Sequence, residues 1–390
     1  MSDIDQTRND GQSPKSAASR GTSPHNANNV ITQITPALDA EESVASSSTS
    51  VTSSVLQYRT ENGRTYHGYK DGKYLMPNDD RENERLDIQH NMFILTFDNQ
   101  LGRAPVNAKD TSIKVGRVLD VGTGTGIWAL DFADEHPESE VLGDDLSPIQ
   151  SACVPPNVTF EIDDIEEPWT FSQPFNYIHS RLMTSSIDDG TLADDAALNR
   201  FSKLWGEAAV IVGHAFQDNT TLKDLMADAG HLNPGGYLEI QEIDAEPRSD
   251  DDTLKDDSSL MKSLRLLKEA AEFFQRPFKD IKSLADIMAE VGFEDIHLER
   301  YKWPSNSWPK DRNYKNLGMW TYENLAMNWE AFLMAPLTRA LSWTKEEVMV
   351  LAMEARRDLG DKSIHAYFTV WAIHGRKPLK AKLTEEATTG

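Results

Sequence analysis

The stretch Val118-Leu119-Asp120-Val121-Gly122-Thr123-Gly124-Thr125-Gly126 decides the fold. A short apolar strand, Val115 to Leu119 with Gly116 and Arg117 interrupting it, is predicted to run into a glycine-rich turn, and a helix to follow from Ile127 to about Ala133. Glycine has no Cβ, so the backbone can turn sharply at positions 122, 124 and 126 and a ligand can come close to its amides. The first amides of the helix point at the same place. Two familiar phosphate loops do not fit. The dinucleotide fingerprint needs a glycine where Ile127 stands, and the nucleotide P-loop needs a terminal Gly-Lys-Ser/Thr, which is absent. Asp120, two residues ahead of the first glycine, would repel a pyrophosphate but suits a ligand that carries a positive amine.

Working outward, the next strand, Glu140-Val141-Leu142-Gly143, ends in Asp144-Asp145. An acid about 20 residues beyond such a loop can accept both hydroxyls of a ribose, which nominates Asp145. A third strand, Val158 to Ile162, ends in Asp163-Asp164-Ile165. A fourth runs from Phe175 to His179, and a fifth, Gly236 to Ile240, follows Leu232-Asn233-Pro234-Gly235. This order predicts an α/β fold with its ligand at the carboxyl ends of the strands.

A D-x-G-x-G-x-G loop with these companions resembles that of the class I S-adenosylmethionine-dependent methyltransferases. The resemblance implies a Rossmann-like seven-stranded sheet with a helical lid, and S-adenosylmethionine as cofactor. It places Asp120 on the methionine amino group, directly or through water, and Asp164 opposite the adenine amine. Gly122, Thr123, Gly124, Gly126, Leu146, Asp163 and Ile165 join Asp145 in the implied cofactor set. More narrowly, the segments 58–67 and 77–87, Asp145-Leu146-Ser147-Pro148-Ile149-Gln150 and Ile178-His179-Ser180-Arg181 are similar to the fungal LaeA-like methyltransferases, over about residues 55–378. That family includes a nuclear regulator of secondary metabolism and many enzymes of metabolite pathways. It implies either methyl transfer to a small-molecule metabolite or a regulatory protein that binds a partner in a transcription-control complex. Helices ahead of the first strand often close over the cofactor in such proteins. Tyr66 and Arg85 are therefore candidates for lining the site, with core packing and a surface ion pair as their respective alternatives.

His179 and Arg181 close the fourth strand, where catalytic groups sit in this fold. His179 can remove a proton from a hydroxyl or amine nucleophile, and Arg181 can hold a substrate carboxylate; alternatively both only orient the loop. Two departures from the family pattern stand out. Asn176 occupies the place of its usual Asp. Residues 188 to 231 are longer than the single connecting helix expected there, with the excess at about 190–219 and an apolar run from Ala208 to Val212. That excess is either an insertion at the mouth of the site or a translated intron.

A formal charge of −24 repels phosphates, which argues against direct nucleic-acid binding. The single cysteine, Cys153, excludes an internal disulfide, and no apolar run is long enough to span a membrane. The N-terminus lacks the basic flank and apolar core of a secretory signal, so a cytoplasmic or nuclear protein is expected. Residues 1–54 are rich in Ser, Thr, Asn and Asp and are expected to be a disordered tail, either merely solvated or a phosphorylated, partner-binding segment at Ser13-Pro14 or Ser23-Pro24. The methyltransferase domain is expected over 55–390, with its core at about 113–245 and 280–378 and lid helices at about 303–360.

Before the core, Asp79 to Phe97 reads as a helix capped by Asn78 or Asp79, with Leu86, His90, Phe93 and Phe97 on one face. After it come helices over Leu260 to Gln275, with Leu264, Leu267, Ala271 and Phe274 as its stripe, and over Ile281 to Val291. A sixth strand is expected from Asp295 to Tyr301, a helix from Leu317 to Met334, and another capped by Thr344 with Glu347. Ala366 to His374 reads as an antiparallel seventh strand. Trp320, Tyr322 and Trp329 can stack on a flat substrate or pack in the core. No metal-ligand spacing, no Asn-Pro-Pro-Tyr motif and no hydrolase triad is found.

Overall fold

The computed structural model describes residues 58–109, 111–165, 169–183, 231–274, 278 and 280–379. The expected tail at 1–54 and the excess segment at 190–219 lie outside these residues.

A two-stranded antiparallel ribbon, β1 (Arg59–Glu61) and β2 (Arg64–Tyr66), precedes α1 (Asp80–Thr96). Asp79 caps α1, its side chain accepting from the Glu82 N–H, and acids in the first turn favour the helix dipole. The core strands follow: β3 (Arg117–Val121), β4 (Glu140–Asp145), β5 (Val158–Ile162), β6 (Phe175–Arg181) and β7 (Leu232–Arg248), with α2 (Ile127–Glu135) after β3. Then come α3 (Ser259–Phe273), α4 (Ser283–Glu290), β8 (Glu294–Pro304), α5 (Arg312–Leu325), α6 (Trp329–Ala340), α7 (Lys345–Gly360) and β9 (Tyr367–Arg376). The sheet has seven strands in the order β5-β4-β3-β6-β7-β9-β8. The first five pair in parallel, and β9 runs antiparallel between β7 and β8. This is the class I methyltransferase sheet. Chain order reverses between β3 and β6, and the crevice at such a switch point is where ligands bind.

The glycine loop begins two residues later than the sequence placed it, because β3 occupies Arg117–Val121 rather than 115–119. Its entry is fixed by Asn176, whose Oδ1 accepts from the Gly116 and Arg117 N–H groups at 3.2 and 2.9 Å. The Asn in place of the family's Asp is thus engaged in holding two strands together. β7 is longer than the expected 236–240 because β9 pairs with it from Tyr237 to Arg248.

Strand alternation sorts the core. Val118 and Tyr177 face Trp128 and Phe132 of α2, while Leu119 and Ile178 face the opposite side with Leu284, Ile287 and Met288 of α4. A third cluster joins Phe93 and Phe97 of α1 to Trp303, Trp329, Leu333 and Phe368. Fully burying one such side chain contributes about 1.5–3 kcal/mol, so α1 is held mainly by its apolar face.

One helix expected over 317–334 is two. α5 ends at Leu325, a turn of 3-10 helix covers Ala326–Asn328, and α6 restarts at Trp329. The carbonyls released there find donors: Arg356 Nε donates to Ala326 O at 2.8 Å and Asn328 Nδ2 to Asn324 O at 3.0 Å. Thr344 and Glu347 form the anticipated reciprocal cap of α7.

Candidate active site

Glycines 122, 124 and 126 all have positive φ, at 65°, 58° and 81°. A Cβ at Gly122 would stand 2.3 Å from Met183 Sδ, and one at Gly126 2.4 Å from Phe160 Cζ. The loop they form is tied to the end of β4. Gly122 N–H donates to Asp144 Oδ1 (3.1 Å) and Gly124 N–H to Asp145 Oδ2 (2.9 Å), while Ser147 N–H donates to Asp145 Oδ1 (2.8 Å). Alternation along β4 sends the two aspartates to opposite faces: Asp144 is buried behind the loop, whereas Asp145 borders a cavity of about 160 Å³. Burial pushes both carboxyls above their usual range, with neighbouring acids adding to the effect; for Asp144 the shift is large.

Asp120 and His179 are paired directly across β3 and β6, so both side chains point to the α2 face. His179 Nδ1–H donates to Asp120 Oδ1 at 2.7 Å, and Thr123 Oγ1 donates to the other oxygen at 2.6 Å. The imidazole stacks on Trp128 with ring centroids 3.8 Å apart and planes 4° apart. Arg181 is held over the Phe93 ring, donates from Nε to Gln241 Oε1 (2.8 Å), and sends Nη1 to His90 Nδ1 (3.1 Å). His90 Nε2–H in turn donates to Asp131 (2.9 Å), which fixes the neutral tautomer, and burial lowers its pKa. Among the described residues Arg181 faces no carboxylate at hydrogen-bond distance, and burial pushes its pKa down to about 10. Gln241 passes the chain on to Glu239, a fully buried carboxylate that also accepts from Tyr177 and the Arg103 and Ala104 N–H groups.

The structure gathers most of the residues the sequence nominated. Asp120, Gly122, Thr123, Gly124, Asp145, Leu146, Asp163, Asp164, Ile165, His179, Arg181 and Arg85 line the one cavity. Gly126 does not; it is needed for its left-handed turn and the closeness of Phe160. Tyr66 does not either. It is buried at the end of β2 under the Arg339 guanidinium, 4.9 Å from the ring centroid. The tyrosine that reaches the cavity is Tyr74. Arg85 is no surface ion pair: it is buried against Glu82 Oε1, with contacts at 2.8 and 3.0 Å.

Sequence reading missed Lys73, Asn78, Glu82, Gln89 and His90 as lining residues. Lys73 forms an ion pair with Asp164. Glu82, Arg85 and Gln89 recur at helical spacing along α1, and all are buried. A polar stripe at that spacing, beside an apolar one, was the available signal. Several buried polar atoms around this cavity have no protein partner among the described residues: both amide atoms of Asn78, Glu82 Oε2, His179 Nε2 and Arg181 Nη2. Such atoms cost stability unless a ligand or water meets them.

A second cavity, of about 220 Å³, adjoins the first. Tyr74, Arg85, Gln89 and Leu182 belong to both walls. The α3 stripe of Leu264, Leu267, Ala271 and Phe274 lines it, as does Trp329. Trp320, by contrast, is exposed, and Tyr322 packs on the core.

These features define a methyltransferase-class domain, and comparison with known proteins agrees. A family model described as a methyltransferase domain matches residues 89–298. Methyltransferase pytC of Aspergillus terreus is 36% identical over 344 residues, which cover 88% of this chain and 94% of that protein. The secondary metabolism regulator LAE1 of Cochliobolus heterostrophus is 36% identical, covering 82% of this chain and 94% of its own. The protein-methionine methyltransferase laeA of Emericella nidulans is 31% identical, covering 83% and 78%. The chain belongs to this family of fungal methyltransferases. Among the described residues, no helix is long and apolar enough to cross a membrane.

Proposed function

We propose that the protein is an S-adenosylmethionine-dependent methyltransferase that acts on a small-molecule metabolite. The observation that carries this reading is the ring of unpartnered buried polar atoms around the glycine-loop cavity, on Asn78, Glu82, His179 and Arg181. Donors and acceptors are both present, as the zwitterionic end of the cofactor requires. S-adenosylmethionine, when bound, supplies an electrophilic methyl group on a sulfonium.

The protein's own work is to hold and align. Each oxygen of Asp145 accepts one loop amide and keeps a lone pair for a ribose hydroxyl. Each oxygen of Asp120 likewise accepts one bond, from His179 or Thr123, and keeps a lone pair for the amino group; Glu82 Oε2, which has no partner among the described residues, is a second acceptor for it, and Arg181 Nη2 an open donor for the carboxylate. His179 lines the first cavity and not the second, so it serves as a positioning residue for Asp120. Because the methyl group is already activated, alignment and exclusion of water supply most of the rate.

Calorimetry is the direct test. S-adenosylmethionine and S-adenosylhomocysteine are expected to bind at micromolar level, about −8 kcal/mol. No heat and no thermal shift with either, while NADH or ATP binds, overturns the assignment. The name of the Cochliobolus relative favours a second reading, in which methyl transfer by this chain serves regulation of secondary metabolism. A strain carrying Asp145→Ala separates the two: loss of one product indicates a pathway enzyme, and altered transcripts of many clusters a regulator.

A further inference from the structure

Resting on the methyltransferase reading, we propose that the second cavity holds the methyl acceptor, and that this acceptor is an uncharged aromatic molecule presenting a hydroxyl or amine at the wall shared with the cofactor cavity. The lining decides the class. Phe274, Phe278, Trp329, Phe332 and Phe368 surround the cavity, which favours a flat ring system. Its ionisable groups, other than the Tyr74 phenol, are Arg85 and Glu242, and both are engaged. Arg85 pairs with Glu82 at 2.8 Å, and Glu242 Oε1 accepts the Met183 N–H at 2.8 Å. A carboxylate or ammonium brought into this cavity would therefore lack an unengaged counter-charge and lose its hydration.

Gln89 fixes the acceptor's orientation. Its side chain is only 4% exposed, it has no hydrogen-bond partner among the described residues, and it lines both cavities. An amide that no described protein group engages, and whose polar atoms are open to the cavity, offers a polar group on the ligand a hydrogen-bond partner at the junction of the two cavities. The remaining shared wall is Tyr74, Arg85 and Leu182, so the nucleophilic atom sits where both ligands meet. Bound S-adenosylmethionine would supply the methyl group there, the acceptor's lone pair would form the new bond to carbon while the carbon–sulfur pair stays with sulfur, and the acceptor's proton would leave on the product side to bulk solvent. A peptide acceptor fits less well, because its backbone amides would enter a cavity with few hydrogen-bonding groups.

The test uses the full-length protein saturated with S-adenosylhomocysteine, so that the first cavity is filled, and equilibrium dialysis of 2-naphthol, naphthalene and 2-naphthoate. 2-Naphthol is expected to bind more tightly than either of the others. Ala271→Trp, which fills the second cavity from α3, should weaken 2-naphthol by about tenfold or more while S-adenosylhomocysteine affinity stays within about twofold. Ala271→Phe is the smaller filler should the Trp variant lack a cooperative melt. Gln89→Leu should abolish the preference for 2-naphthol over naphthalene. Equal binding of 2-naphthoate, or indifference of 2-naphthol to both fillers, overturns the proposal. So does a methionine-containing acetylated peptide that displaces 2-naphthol and is itself lost in the filled variants. Failure of the wild type to bind S-adenosylhomocysteine overturns the methyltransferase reading itself, and the acceptor role with it.

Discussion

Asp145 has one loop amide on each carboxylate oxygen, so it shapes the glycine turn as well as facing the cavity. Asp145→Ala is therefore expected to weaken S-adenosylhomocysteine binding by on the order of 2–5 kcal/mol, measured by titration calorimetry. His179→Ala acts differently. It removes the Nδ1 donor from a buried carboxylate and the stacking partner of Trp128, and should lower unfolding free energy by about 1–3 kcal/mol in a denaturant titration. Asp144 carries a pH signature. Burial raises its native pKa well above 3.8, so its contribution to stability is fully present below 3.8 and is lost as pH rises through the raised native value. Asp144→Asn keeps an acceptor for Gly122 and removes the charge. Its thermal midpoint without ligand should fall less between acid and neutral pH than that of the wild type, and a steeper fall would contradict the burial argument.

At the scale of elements, β3, β4 and β5 were readable because each carries an apolar run that ends in acids or glycines, and β6 because a further apolar run, closing in His179 and Arg181, follows them. The α5–α6 break was not readable. Leu325, Ala326 and Trp329 continue the apolar periodicity across it, and the donors that satisfy the broken turn, Arg356 among them, come from elsewhere in the chain. The same limit explains the Tyr66 error. Composition marks a tyrosine-rich segment, but only the path of the β1–β2 ribbon determines that Tyr74 reaches the cavity and Tyr66 lies under Arg339. The buried stripe of Glu82, Arg85 and Gln89 was visible as a period and invisible as burial, since such residues usually face water. Gly126, nominated for binding, belongs to packing between α2 and β5. Gly126→Ala should cost about 2–4 kcal/mol, from the left-handed φ and the overlap with Phe160, without removing a cavity-lining group. Urea denaturation alongside ligand titration checks both halves of that statement.

For the whole molecule, a net charge of −24 acts on the folded state as self-repulsion that salt screens. The thermal midpoint is expected to rise as sodium chloride is increased from about 10 mM to about 0.5 M, where the Debye length shortens severalfold. A flat response would mean that screening weakens the ion pairs of the fold as much as it relieves the repulsion. The wall common to the two cavities has a consequence of another kind. Tyr74, Arg85, Gln89 and Leu182 border both cavities, so any movement of them under one ligand is felt by the other. Thermodynamic reciprocity then binds the two equilibria: whatever factor the cofactor product applies to acceptor affinity, the acceptor applies to the cofactor product. The mutual effect of the two ligands is thus exerted at a single partition, built by Arg85 and Gln89 of α1 together with Tyr74 and Leu182.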